Sequence, residues 1–141
     1  MKNLYEVFDE FEEAKSKKDR MNIIEKNLSK VLVDVFELTY HPKCEWLLNE
    51  IPDGYKIAQD NIPGLSGNQL STELRRMYLF QKGNPAAEEL TPQKRNELLL
   101  QLLERLEPRE AEVVMGILNK DLGVRGLDYK FIKEAFPTLL P

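Results

Sequence analysis

The chain has 141 residues, 42% hydrophobic and 31% charged, with a net charge of -4 and an isoelectric point near 5.2. That length suits one domain with a substantial core, and the acidic total lacks the basic excess usual in nucleic-acid binders. No apolar run approaches the roughly 18 to 20 residues of a membrane span, the first residues lack the h-region of a signal peptide, and the single cysteine, Cys44, has no internal disulfide partner. The expectation is a cytoplasmic protein without membrane association.

Apolar residues recur at helical spacing almost throughout, and no segment alternates for long enough to make a strand. The expected fold class is therefore all-α: a single domain, residues 1–141, built as a compact bundle of about seven helices in antiparallel hairpins. Leu4, Val7, Phe8 and Phe11 form the stripe of an opening helix. Its carboxylates, Glu6, Asp9, Glu10, Glu12 and Glu13, against Lys2 alone account for the whole -4. Residues 15–30 swing to +4, with Lys15, Lys17, Lys18, Arg20, Lys26 and Lys30 against Asp19 and Glu25.

A second helical region is expected from about Lys18 to Tyr40, with Ile23, Ile24, Leu28, Val31, Leu32, Val35 and Phe36 inward and a break marked by Lys26-Asn27. His41-Pro42 ends it, because the residue before proline is pushed out of the helical basin. A short helix over 43–49 turns Trp46 and Leu47 inward. Turn signals from Ile51 to Ser66 then indicate a long loop, and long loops are often functional. A helix over 68–81 is stopped by Gly83-Asn84-Pro85. Thr91-Pro92 is an N-cap and N1 pair for a helix through Leu106. Pro108 opens another, to about Asp121, with Gly123 as its C-cap. A last short helix spans 128–135.

Residue types that carry chemistry are sparse. His41 and Cys44 have His-x-x-Cys spacing, half of a metal site, but the chain has no second histidine or cysteine. No phosphate-cradling glycine motif or nucleophile elbow is present. Adjacent acids such as Glu12-Glu13 and Glu88-Glu89 point different ways on a helix. No catalytic residue, metal or cofactor is expected. Two glycine-containing loops, Lys82-Gly83-Asn84-Pro85 and Asn119 to Gly126, each allow two readings: backbone N–H groups and a nearby cation offered to a phosphate, or a plain helix cap and turn. The clusters Arg75-Arg76-Met77-Tyr78 and Tyr129-Lys130-Phe131 with Lys133 either grip nucleic acid or bury their aromatics with the bases snorkelling outward.

Three blocks, in order, resemble the N-terminal DNA-binding domain of phage-type ATP-dependent DNA ligases. Gly83-Asn84-Pro85-Ala86-Ala87-Glu88-Glu89-Leu90 resembles that domain's Gly-Asn-x-Ala-x-Glu-Glu-Leu loop. Leu118-Asn119-Lys120-Asp121-Leu122-Gly123 resembles its Arg/Lys-Asp-Leu helix end, and Phe131 to Pro141 its closing helix and proline-containing exit. Ile24-Glu25-Lys26-Asn27 and Leu38-Thr39-Tyr40 match more weakly, so the likeness touches about two thirds of the chain.

The resemblance implies an all-helical module, a small stand-alone phage protein in an infected cell, that contacts double-stranded DNA through its backbone. Lys82, Gly83, Asn84, Lys120, Gly123, Arg125 and Lys133 would form the contact surface. The ligase continues into a nucleotidyltransferase domain whose lysine sits in Lys-x-Asp-Gly. This sequence stops at Pro141, and Lys120-Asp121-Leu122-Gly123 has a different order, so adenylation and nick sealing are not implied. The alternative is a module that binds a protein, as a regulator or inhibitor of a replication or host factor, through the acidic first helix and the 51–66 loop.

Overall fold

The computed structural model describes residues 3–48 and 70–141. Among these are eight α-helices: α1 (Leu4–Glu13), α2 (Lys17–Lys26), α3 (Lys30–Tyr40), α4 (Leu70–Leu74), α5 (Pro85–Glu88), α6 (Pro92–Arg105), α7 (Pro108–Leu118) and α8 (Tyr129–Ala135), with a 3₁₀ turn at Met77–Phe80. The fold is all-α, and no described helix is long and apolar enough to cross a membrane. The loop expected over 51–66 lies outside the described residues.

Side-chain caps set most helix starts. Ser16, Ser29, Thr91 and Asp128 each accept a hydrogen bond from the backbone N–H three residues on, at 2.9–3.2 Å. Each satisfies one of the four donors a helix leaves unpaired at its start. Proline follows the cap in α5, α6 and α7, where its missing N–H costs nothing.

α7 is the central helix. Ala111, Val113, Val114, Gly116, Ile117 and Leu118 are all buried, a near-continuous apolar surface, and α7 packs against α1, α3 and α6. Gly116 is required there: a Cβ would lie 3.0 Å from Leu122 Cα and 3.2 Å from the Asp121 oxygen. The core is completed by Phe11, Ile24, Leu32, Phe36, Leu99, Leu102, Leu103, Leu106 and Ile132. Each buried side chain of this size contributes about 1.5–3 kcal/mol.

The break expected at Lys26-Asn27 divides the region from 18 to 40 into α2 and α3: Asn27 caps α2, with its Nδ2 donating to Ile23 O at 2.8 Å, and Ser29 starts α3 afresh. Four expectations are corrected. Leu28 falls in the corner and is 58% exposed, not inward. Residues 43–48 form no helix. Trp46 instead bridges Gln81 in antiparallel fashion, with Leu47 N donating to Phe80 O (2.7 Å) and Lys82 N to Glu45 O (2.9 Å). Within 68–81 the described part is α4 followed by the 3₁₀ turn, not one continuous helix. Finally, α7 stops at Leu118 with Asn119 as its C-cap, so Gly123 does not cap it.

Candidate nucleic-acid interface

The end of α7 fixes the centre of the candidate surface. Lys120 N donates to Ile117 O (3.1 Å) and Asp121 N to Gly116 O (3.0 Å), the paired bonds of a Schellman ending. That ending needs one residue in the left-handed region, normally glycine. Here it is Lys120, at φ 60°, the one non-glycine with positive φ among the described residues. A side chain in that conformation costs about 1–2 kcal/mol.

The Lys120 side chain supplies what a glycine lacks. Its Nζ donates to the carbonyls of Leu38 (3.2 Å), His41 (2.9 Å) and Cys44 (2.7 Å). An ammonium has three protons, so all three are engaged, and the cation sits at the negative end of α3. Burial pulls the Lys120 pKa below its ordinary value, while the nearby Cys44 and Glu45 pull it upward. Burial likewise raises the Cys44 thiol, with Lys120 opposing. Lys120 is therefore turned inward, contrary to its expected phosphate contact.

The loop beyond Lys120 is fastened by other long-range contacts. Leu122 N donates to the Tyr40 hydroxyl (3.2 Å), which donates in turn to Leu127 O (3.1 Å). Arg125 N donates to Glu12 Oε2 at 3.3 Å, tying the loop to the end of α1. Gly126, at φ 84°, packs so closely on Arg20 of α2 that a Cβ there would lie 2.7 Å from Nη1. Lys17 of α2 pairs with Glu134 of α8. The bridge between residues 45–47 and 80–82 completes the arrangement: Cys44 holds Lys120, and Glu45 holds Lys82 through its backbone and by an ion pair at 3.6 Å.

The seven expected contact residues divide by role. Asn84 caps α5, accepting from Ala86 N at 3.0 Å. Gly83 N donates to Glu88 Oε1 and Gly123 N to Asp121 Oδ1. Lys133 Nζ donates to Leu140 O at 2.8 Å. These bonds are local, whereas those of Lys120 join distant segments. Lys82 and Arg125 are exposed, and Arg125 makes no ion pair among the described residues, nor do Lys15 and Lys18. Carboxylates lie among them: Glu12, Glu45, Asp121 and Glu134.

Of the two aromatic clusters, Met77 and Phe131 are core, while Tyr78 and Tyr129 remain exposed. His41 and Cys44 do not converge as ligands. His41 Nδ1 accepts from Lys43 N at 3.1 Å, and no group of three metal-ligating side chains occurs among the described residues. The roles of Tyr40 and Arg20 were not visible in sequence. The one available signal was a lysine directly after a helix end, where glycine is expected.

The chain belongs to a family of unknown function (DUF6433), whose profile matches residues 7–124. No curated protein matches it. The match includes α7 and the Lys120 tie and ends within the loop that reaches Arg125; α8 lies beyond it.

Proposed function

We propose that this chain is a non-catalytic, cytoplasmic helical module that holds double-stranded DNA by its sugar-phosphate backbone, as the ligase resemblance implies. The observation that carries the reading is the meeting of separate elements at one end. The 119–127 loop is tied by hydrogen bonds to Cys44 and to Glu12 at the end of α1, Lys82 is tied to the adjacent Glu45, and Arg20 of α2 packs on Gly126, with Lys15, Lys18 and Arg125 exposed. Duplex binding measured by fluorescence anisotropy should be independent of sequence and weaken steeply with salt. Three or four such cations give a log-log slope of about 3, near 0.9 per phosphate. Flat affinity between low and moderate salt refutes this reading.

The acidic surface of α1 supports a second reading. Glu6 and Glu13 are exposed along a helix whose other face is core, a surface suited to a basic protein partner such as a replication or host factor. Retention of a defined partner from nuclease-treated lysate, lost on reversing the charges of Glu6 and Glu13, favours that reading over DNA.

A further inference from the structure

Arg20 stands apart from the other cations at this end. Its guanidinium carbon lies 5.6 Å from the centroid of the Phe11 ring. Phe11 is fully buried and makes an edge-to-face contact with Phe131 at 5.0 Å and 90°. The same guanidinium packs on the main chain of Gly126, whose missing Cβ makes room for it. Cation–π contact and close backbone packing fix the group in place.

Yet it has no hydrogen-bond or ion-pair partner among the described residues. Nε is fully covered and unpartnered, whereas Nη1 and Nη2 reach solvent. The neighbouring carboxylates are engaged elsewhere: Glu12 with Arg125 N, and Glu134 with Lys17. Asp19 is the adjacent residue on α2, and it makes no ion pair with Arg20. A positioned guanidinium without a carboxylate is costly in a purely structural role, since its donors go unused. Preorganisation of this kind is what a bidentate oxyanion site requires.

We propose that Arg20 is a phosphate-binding residue, its Nη1 and Nη2 taking two oxygens of one phosphate group. Identifying that phosphate as part of a DNA backbone rests on the function proposed above; the oxyanion chemistry does not. Free phosphate offers the same oxygens, so both sources belong in the test.

The buried Nε–H of Arg20 provides a reporter, because covered guanidinium protons exchange slowly enough to be followed by ¹⁵N NMR. Duplex DNA and inorganic phosphate are titrated separately into the intact protein, and duplex affinity is measured for Arg20→Lys, Gly126→Ala and the control Lys94→Gln. Arg20→Lys keeps the charge but loses the fork. Gly126→Ala keeps Arg20 but displaces its guanidinium. The expected result is a shift of the Nε–H signal with duplex and about tenfold weaker duplex binding for both site variants, a loss of roughly 1.4 kcal/mol, against less than about twofold for Lys94→Gln. If duplex binds but the Nε–H signal stays put and Arg20→Lys binds normally, the Arg20 assignment is overturned and the DNA reading survives. If duplex does not bind but inorganic phosphate moves the signal, the DNA reading fails and the oxyanion site stands. Silence of the reporter to both overturns the assignment.

Discussion

The turn around Gly83 and the loop around Gly123 each hold a positive-φ glycine with a lysine within three residues before it, but are secured by different means. The first is organised mostly by near neighbours: Asn84 caps α5, Gly83 N reaches Glu88, and one antiparallel pairing joins Lys82 to Glu45. The second is fastened to α1, α2 and α3 at once, through Glu12, Arg20, Tyr40 and the carbonyls that hold Lys120. A turn of the first kind can be altered with local effect. The second joins elements that are otherwise separate, so a change there is felt at several helix ends.

The largest separation between the two comes from Lys120. Lys120→Met removes three charge-assisted hydrogen bonds and leaves the carbonyls of Leu38, His41 and Cys44 without them, an expected loss of about 2–4 kcal/mol in urea unfolding. Lys120→Gly should be less damaging by about 1 kcal/mol, since it relieves the left-handed strain. Equal losses would show that the ammonium, not the backbone conformation, accounts for the effect.

Tyr40→Phe removes both bonds of the hydroxyl and should cost about 1–2 kcal/mol. It also carries a pH signature. Burial raises the Tyr40 pKa above its ordinary value of 10.0, so the unfolded chain loses this proton first. The contribution is complete below 10.0 and declines as pH rises through the folded value. Thermal melts between pH 9 and 11 (roughly spanning the tyrosine range) should show a steeper alkaline decline in the wild type than in the phenylalanine variant.

The smallest effect belongs to the first turn. Asn84→Ala loses one N-cap and should cost about 0.5–1 kcal/mol, with amide shifts confined to residues near α5. Spread of those shifts to residues 38–44 would erase the contrast between the two regions.

Sequence patterns identified the elements whose cause is local. The stripe of α1, Thr91-Pro92 at the start of α6 and Pro108 at the start of α7 all behave as their residues dictate. Leu28 illustrates the limit. In an unbroken helix it would follow Ile24 inward by one turn, but the cap at Asn27 and restart at Ser29 rotate it to solvent. Residues 43–48 carry apolar side chains that fit a helix equally well; what decides their conformation is pairing with residues 80–82, invisible to a short window. For the candidate surface, the loops were legible and the direction of their cations was not. Lys120 reads as a surface charge until the carbonyls 76 to 82 residues away are brought to it.

That separation bears on the order in which the molecule assembles. The α1–α2 hairpin joins neighbours in sequence and can close early. The Lys120 tie must wait until chain ends nearly eighty residues apart have met, since such contacts carry a large closure entropy before they return any stability. The α3–α7 end should therefore be absent from the folding transition state. Substitutions at Lys120 should accelerate unfolding while leaving the refolding rate almost unchanged.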